Sequence, residues 1–267
     1  MLLREVEYAR PSSVEEALAL LAANDGARAL AGGQTLVNVM KARAASPDVL
    51  VDLGKLDSLR AISVVGGTLE IGAMATYSQI MASSEVEVSR PIIAEVCALI
   101  ADVQVRNRGT IGGNVCSNDP TNHLPPLMAA LDAQMVIVGP DGERVVPSAD
   151  FFIGVYMTAA GPGDLLLSIR IPAGSGDAFE AITLGADGTC IVSAAASLRD
   201  GVRIGLGCVD AVPVVVTAAS TDEDVVREAV RTAGLEPPSD VHASSDYRRH
   251  LAEVVAVRAV QKASGRS

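Results

Sequence analysis

Two pairs of adjacent glycines, each followed by a small polar side chain, are the residues of this sequence best suited to bind a ligand. Glycine has no Cβ, so its backbone reaches positive φ and brings N–H groups close to a bound molecule. Successive N–H groups that converge form a concave site for an anion, most often a phosphate. The two segments are Ala31, Gly32, Gly33, Gln34, Thr35 and Leu36, and Thr110, Ile111, Gly112, Gly113 and Asn114.

Two such segments restrict the kinds of ligand that this protein could bind. A single Gly-Gly pair is weak support, because it also makes an ordinary turn between a strand and a helix. Two of them, each with a hydroxyl or amide side chain, suit a molecule with two phosphates and a long polar linker. Flavin adenine dinucleotide (FAD) fits that description.

The side chains that a hydrolytic, metal or iron–sulfur site would need are not grouped in this sequence. No Ser-His-Asp set, metal-binding cluster or pair of carboxylates stands out. Cys97, Cys116, Cys190 and Cys208 are scattered without the close spacing of iron–sulfur or zinc sites. A flavin carries its own redox chemistry, so the protein needs only to bind and orient it. We therefore predict FAD as the cofactor, no catalytic side chain and no metal site.

Composition excludes several classes of partner. The net charge of −11 argues against nucleic acid and anionic membranes, and 3% aromatic content leaves little for base stacking. The longest apolar stretch, residues 124–138, is too short and too polar to span a bilayer. The first ten residues lack the apolar core of an export signal. We expect a cytoplasmic protein with reduced thiols, no membrane insertion and no nucleic-acid partner.

Hydrophobic periodicity and turn residues predict an α+β chain. Residues 1–55 read as a β-α-β-α-β unit, and Gly66-Gly67 joins a hairpin in the following region. The glycine-rich residues 173–177 are the best linker candidate. Beyond them, three strands separated by turns precede two helices. We predict boundaries at 1–55, 56–173 and 178–267.

Three blocks of this sequence resemble one family, the flavoprotein (medium) subunits of molybdenum hydroxylases, which include those of carbon monoxide dehydrogenase and the FAD domain of xanthine dehydrogenase. The blocks are ALAGGQTLVNVMKARAASPDVLVDL, VRNRGTIGGNVCSNDPTNHLPPLMAALDA and FFIGVYMTAAGPGDLLLSIRIP. They occur in the family's order, within a resemblance that spans residues 4–209. It implies a two-subdomain, PCMH-type FAD-binding fold followed by a small C-terminal α+β domain with a three-stranded antiparallel sheet.

The resemblance also implies roles for individual residues. Residues 31–36 would bind the pyrophosphate through backbone N–H groups, with side-chain hydrogen bonds from Gln34 and Thr35. Residues 110–114 would hold the other side of the diphosphate and the ribityl chain. Ile100 falls where relatives place a side chain near the flavin ring. Leu166 falls where relatives contact the adenine end.

Two positions depart from the family pattern. His123 stands where relatives commonly have an acidic residue, and a neutral imidazole accepts a hydrogen bond through one nitrogen only. His123 is nevertheless kept as a candidate cofactor contact. Many relatives carry a lysine near the flavin on the strand that corresponds to residues 178–184, where Ala181 is the best-aligned residue here.

The resemblance implies an FAD-binding electron-transfer subunit of a multi-subunit molybdopterin and iron–sulfur dehydrogenase. Its partners would be a small [2Fe–2S] subunit and a large molybdopterin subunit, and its role would be to pass electrons to an external acceptor. Two alternatives remain open. One is a stand-alone flavin-dependent oxidoreductase with its own small substrate, and the other is a non-catalytic nucleotide-binding assembly protein.

Overall fold

The computed structural model describes residues 3–185 and 188–265. The outer ends of the predicted domains 1–55 and 178–267 lie outside the described residues. The described strands form three main sheets and one short two-stranded ribbon.

The N-terminal sheet is parallel and confirms the predicted β-α-β-α-β order. Its elements are β1 (Glu7–Ala9), α1 (Val14–Ala22), β2 (Ala27–Leu30), α2 (Leu36–Lys41) and β3 (Val49–Asp52). The strand order is β1-β3-β2, with Val49 opposite both Glu7 and Ala27. The hydroxyl of Ser13 accepts a hydrogen bond from the Glu16 N–H and so begins α1. Two short 3-10 turns, Leu53–Lys55 and Asp57–Arg60, lead to the next sheet.

The central sheet has five antiparallel strands in the order β4-β5-β10-β6-β7. Gly66 and Gly67 join β4 to β5 with φ of 57° and 78°, as the predicted hairpin requires. A short ribbon, β8 with β9, precedes the last strand. The strands are β4 (Ile62–Val65), β5 (Thr68–Gly72), β6 (Gln134–Gly139), β7 (Gly142–Pro147), β8 (Phe152–Gly154), β9 (Met157–Thr158) and β10 (Leu165–Pro172).

Short helices between β5 and β6 pack on the central sheet and bury a core of Leu, Ile, Val and Met side chains. These helices are α3 (Tyr77–Met81), α4 (Ser84–Ser89), α5 (Ile92–Ala98), α6 (Val103–Arg106), α7 (Ile111–Ser117) and α8 (Leu124–Ala130), and α9 (Ser148–Phe151) follows β7. Thr76 caps α3 through a reciprocal pair of hydrogen bonds with Gln79.

The C-terminal sheet has four antiparallel strands, which corrects the predicted three. The fourth strand, Val214–Ala218, pairs with the preceding strand after Pro213, where β-branched valines favour extended backbone. Two helices pack on this sheet. The elements are β11 (Asp177–Thr183), β12 (Cys190–Ser197), β13 (Val202–Gly207), β14 (Val214–Ala218), α10 (Glu223–Arg231) and α11 (Ser245–Ser264).

Helix α8 packs directly against the C-terminal sheet. A Cβ on Gly205 of β13 would lie 2.1 Å from the Pro126 carbonyl oxygen, so only glycine permits this approach. The Arg203 Nε donates to the Ala129 carbonyl oxygen at 3.0 Å. The central and C-terminal sheets therefore share a close helix–sheet contact.

A buried ion pair joins the same two regions. The Nε of Arg90, which follows α4, lies 2.7 Å from Oδ2 of Asp177 at the start of β11. The Arg90 guanidinium also donates to the Ser197 hydroxyl at 2.9 Å and to the Pro172 carbonyl oxygen at 2.9 Å. These side chains are almost fully buried, so the charges are satisfied by protein groups rather than by bulk water.

Within residues 3–185 and 188–265, none of the helices combines the length and the apolar character needed to cross a bilayer.

Candidate cofactor-binding cleft

The first glycine pair forms an open turn between β2 and α2. Gly33 has φ of +74° and Thr35 has right-handed helical dihedrals. The amide of Gln34 folds back and donates to the Gly32 carbonyl oxygen at 3.0 Å. Among the described residues, no protein group accepts a hydrogen bond from the N–H groups of residues 33–35. This turn therefore presents consecutive free donors, the arrangement that favours an anion.

The second glycine pair is the first turn of helix α7 rather than a loop. The Thr110 hydroxyl accepts from the Gly113 N–H at 3.1 Å and caps the helix. The N–H groups of Ile111 and Gly112 donate to the carbonyl oxygens of Ala75 and Ala73. The N–H of Asn114 donates to the Thr110 carbonyl oxygen. These donors are already used within the protein, so the second segment does not offer the free N–H groups that the first one offers.

The two segments nevertheless pack against each other. A Cβ on Gly32 would lie 2.1 Å from the Arg108 carbonyl oxygen and 2.9 Å from the Gly109 Cα. A Cβ on Gly113 would lie 3.5 Å from the Ala31 side chain. Gly32 is therefore required for the contact between the segments, whereas Gly33 is required for the turn.

A cleft of about 730 Å³ opens where the two segments meet. This volume is in the range of cofactor sites. Arg28 and Asp164 are its only charged lining residues within the described chain. Asp164 is paired with Arg144 at 2.7 Å. The cleft is thus nearly neutral, and an anionic ligand would depend on N–H dipoles and on Arg28. The predicted residues that line it are Ala31, Gly32, Gly33, Gln34, Thr35, Leu36, Thr110, Gly112, Gly113, Asn114 and Leu166.

One wall of the cleft carries an unused polar atom. The Asn114 Nδ2 donates to the Tyr77 hydroxyl at 3.0 Å, whereas the Asn114 Oδ1 is buried without a hydrogen-bond partner. Burial raises the pKa of Tyr77, so its hydroxyl stays protonated. The nearby Cys116 thiol also lines the cleft, and burial raises its pKa to about 12. An orphaned acceptor at this depth calls for a donor from a ligand.

The ribbon of β8 and β9 forms part of another wall. Tyr156 and Met157 line the cleft with exposed fractions of 62% and 59%. Asn118, which has φ of +39° and is 1% exposed, donates through Nδ2 to the Gly154 carbonyl oxygen at 2.7 Å. Its own carbonyl oxygen accepts from the Tyr156 N–H at 3.2 Å. Asn118 thus ties the end of α7 to this wall.

Three predicted site residues lie outside the cleft lining. Ile111, the first residue of α7, is fully buried, and Ile100 packs half-buried against the central core. The His123 ring lies 5.1 Å from the Phe179 ring, and its Nδ1 is buried without a hydrogen-bond partner. A contact between any of these side chains and a cofactor stays a prediction.

Several residues of the cleft were not predicted from the sequence. Arg28, Tyr77, Tyr156 and Met157 line it, and Asn118 supports it. Nothing in the residues around Asn118 indicates that this side chain would hold a distant ribbon. Among the described residues, no group of three or more His, Cys, Asp or Glu side chains is placed to hold a metal ion.

A cleft with free backbone donors and a nearly neutral lining suits a protein that binds an organic cofactor. Residues 4–174 match the family described as "FAD binding domain in molybdopterin dehydrogenase". The chain belongs to this family. Its cofactor is FAD, and it is the flavoprotein component of an oxidoreductase.

Individual relatives match over nearly the whole chain. The carbon monoxide dehydrogenase medium chain of Afipia carboxidovorans is 38% identical, over 98% of this chain and 97% of that protein. The corresponding medium chain of Hydrogenophaga pseudoflava is 35% identical, over 97% of each. A chain from the structure of reconstituted CO dehydrogenase from Oligotropha carboxidovorans superposes with a TM-score of 0.94 at 35% identity, over 100% of both chains.

Proposed function

We propose that this chain is the FAD-binding electron-transfer subunit of a molybdopterin and iron–sulfur dehydrogenase, and that it passes electrons from [2Fe–2S] clusters to an external acceptor. The observation that supports the proposal most strongly is the convergence of two opposite kinds of polar group in one cleft. The N–H groups of residues 33–35 have no protein acceptor and would bind a diphosphate, and the Asn114 Oδ1 has no protein donor and would accept one from the ligand.

Backbone N–H groups and side chains would bind different parts of FAD. The turn at residues 32–36 would bind the pyrophosphate, because its donors are free and Gly33 opens the backbone. Asn114 and Thr110 would bind hydroxyl or N–H groups farther along the molecule. Leu166 would contact the adenine end. FAD supplies the redox chemistry, and the protein supplies binding, orientation and exclusion of water.

The partners we propose are a small [2Fe–2S] subunit and a large molybdopterin subunit. Two of the relatives are medium chains of carbon monoxide dehydrogenases, a term for one subunit of a larger enzyme. This chain carries four free cysteines, three of them buried and all of them dispersed over the central and C-terminal regions. Free thiols fit a reducing compartment and therefore a cytoplasmic location. The three sheets support domain limits of 1–55, 56–173 and 178–267.

The test is reconstitution with defined partners. The chain is purified, incubated with FAD and scored for bound flavin per chain by absorbance, and we expect one FAD. The holoprotein is then mixed in a stopped-flow instrument with a reduced two-cluster iron–sulfur subunit, and we expect flavin absorbance to bleach with the oxidation of the clusters. Protein that binds no FAD, or a flavin that stays oxidised beside reduced clusters, contradicts the proposal.

The two alternatives give different results in the same instrument. A stand-alone oxidoreductase would show flavin reduction by a small substrate without any partner subunit. A non-catalytic assembly protein would retain FAD in the oxidised state under every condition. Iron and molybdenum that co-purify with the chain from its natural source would favour the subunit role.

A further inference from the structure

One turn at the edge of the cleft holds an aromatic side chain in an unfavourable backbone conformation. Val155 and Tyr156 join β8 to β9, and Tyr156 has φ of +58°. Glycine or asparagine is favoured at a turn position with positive φ, because a larger side chain there crowds the backbone. A tyrosine in this conformation is strained, and strain of this kind is concentrated at functional sites.

The strain is not offset by packing of the ring in a core, because Tyr156 is 62% exposed. Two hydrogen bonds fix the residue instead. Its N–H donates to the Asn118 carbonyl oxygen at 3.2 Å, and its hydroxyl donates to Asp119 Oδ2 at 3.2 Å. The other carboxylate oxygen, Asp119 Oδ1, accepts from the Thr121 N–H at 2.9 Å and from the Thr121 hydroxyl at 2.7 Å. The segment after α7 therefore holds the ring in place and leaves much of its surface open.

The open surface of this ring belongs to the cleft. Tyr156 lines the cleft beside Met157. Within the part of the chain that the structure describes, the only other aromatic side chain of the lining is Tyr77. Tyr77 is 4% exposed, and its hydroxyl accepts from the Asn114 amide. Tyr156 is therefore the aromatic ring that the cleft offers to a ligand.

The position of Tyr156 along the cleft suits the end of a dinucleotide rather than its middle. Gly113, in the first turn of α7, packs beside Ala31 and so lies next to the turn with the free N–H groups. Asn118, which accepts from the Tyr156 N–H, follows the last residue of α7, about 7.5 Å farther along the helix axis. The diphosphate is the middle of FAD, and a ring system forms each end. A ring bound at Tyr156 is compatible with a diphosphate bound at residues 33–35.

We propose that Tyr156 stacks on one of the two ring systems of FAD, the isoalloxazine or the adenine, and covers that end of the cleft. The inference rests on the proposed function, because it takes this cleft as the FAD site. A tyrosine ring and a flat heterocycle attract each other by dispersion and by complementary charge distributions. A ring that the protein already holds in place loses little freedom when the ligand binds, so the strained turn favours binding.

The experiment compares three replacements of Tyr156 in the full chain. Tyr156→Gly removes the ring and the strain, Tyr156→Asn removes the ring but tolerates positive φ, and Tyr156→Phe keeps the ring without the hydroxyl. Isothermal titration calorimetry measures FAD affinity. We expect the FAD dissociation constant to rise by about tenfold in Tyr156→Gly and Tyr156→Asn, as on loss of a stacked aromatic partner. In Tyr156→Phe it should stay near the wild-type value.

Urea unfolding of the cofactor-free chain separates a ligand contact from a structural role. We expect the midpoint of Tyr156→Gly to be no lower than that of the wild type, because glycine adopts φ of +58° without strain. A residue that served only the fold would lower the midpoint and the affinity together, and that result would overturn the proposal. The matched control is Tyr8→Ala. Tyr8 is 58% exposed and donates to the Asp52 carboxylate, but it lies outside the cleft lining, so FAD affinity should not change.

The fluorescence lifetime of bound FAD identifies the ring that Tyr156 contacts. A tyrosine against the isoalloxazine quenches its fluorescence by electron transfer, so a longer lifetime in Tyr156→Gly places the flavin there. An unchanged lifetime together with weaker binding of ADP places the adenine there.

Two results contradict the stacking. The proposal is wrong if neither the lifetime nor the ADP affinity changes in Tyr156→Gly. It is also wrong if Tyr156→Phe loses as much FAD affinity as Tyr156→Gly, because the hydroxyl rather than the ring would then make the contact. In both cases the wild type still binds FAD, and the proposed function stands. A wild-type chain that binds no FAD overturns the proposed function and this inference with it.

Discussion

At the scale of single residues, the two glycines of the first pair have different tasks. Gly32 has ordinary dihedrals, but a side chain there would collide with the Arg108 carbonyl oxygen and the Gly109 Cα. Gly33 has room around it but a positive φ. The first glycine is needed for close approach between segments, and the second for backbone conformation.

Replacing Gly32→Ala should therefore separate the two segments. Overpacking of this kind costs about 1–3 kcal/mol of stability. We expect the FAD dissociation constant to rise by about tenfold or more, since about 1.4 kcal/mol corresponds to a factor of ten. Flavin fluorescence titration measures the affinity, and urea unfolding measures the stability.

The matched control is Gly163→Ala. Its Cβ would meet nothing nearer than 3.8 Å, and its φ is not in the left-handed region. This variant should bind FAD as the wild type does. Equal affinities for both variants would show that the Gly32 contact does not shape the site.

A second residue-scale prediction concerns Asn114. Asn114→Ala removes the orphaned Oδ1 and the hydrogen bond to Tyr77. We expect the FAD dissociation constant to rise by about tenfold, because a hydrogen bond to a buried partner is worth about 1–1.5 kcal/mol. Isothermal titration calorimetry provides the measurement. Asn107→Ala, which removes only an exposed contact with Ser78, is the control. An Asn114→Ala variant with unchanged affinity would exclude the carbonyl as a ligand contact.

At the scale of elements, the sequence predicts most of the secondary structure but not that the second glycine pair is helical. The hairpin at Gly66-Gly67 follows from local turn chemistry, and that prediction is confirmed. The pair at Gly112-Gly113 looked like a loop because glycine weakens helices. The cap from Thr110 and the contacts of residues 111 and 112 with the 73–75 backbone outweigh this preference. Such non-local hydrogen bonds cannot be read from the residues themselves.

The ribbon beside the cleft depends on one asparagine with left-handed dihedrals. Asn118→Ala should lower the free energy of unfolding by about 1–3 kcal/mol, because the Gly154 carbonyl oxygen loses its donor and alanine is strained at φ of +39°. Asn118→Gly should be less harmful by about 1 kcal/mol, since glycine adopts φ of +39° without strain. Hydrogen exchange of residues 152–158 should speed up in both variants. Unchanged protection of that ribbon would show that Asn118 does not hold it.

At the scale of the whole molecule, the Arg90–Asp177 pair connects the region that binds the cofactor to the C-terminal sheet. The resemblance to the flavoprotein family predicted the order of these regions. An ion pair between two residues so far apart in the sequence is seen only in the structure.

Asp177→Ala should leave a buried guanidinium without its carboxylate. Removing one partner of a buried pair costs about 3–5 kcal/mol. We expect a lower midpoint in urea unfolding, followed by circular dichroism. The double variant Arg90→Met/Asp177→Leu should recover much of that loss, because no charge is then left unpaired. A single variant as stable as the wild type would indicate that water reaches the guanidinium.

The close packing of Gly32 against the backbone of residues 108–109 has a consequence for how the protein acquires its cofactor. The protein's own atoms hold the two segments together, so contacts within the chain itself form the frame of the cleft. Little chain has to be ordered when the dinucleotide arrives, so insertion carries a small entropic penalty. We therefore expect FAD to bind to the chain after it has folded.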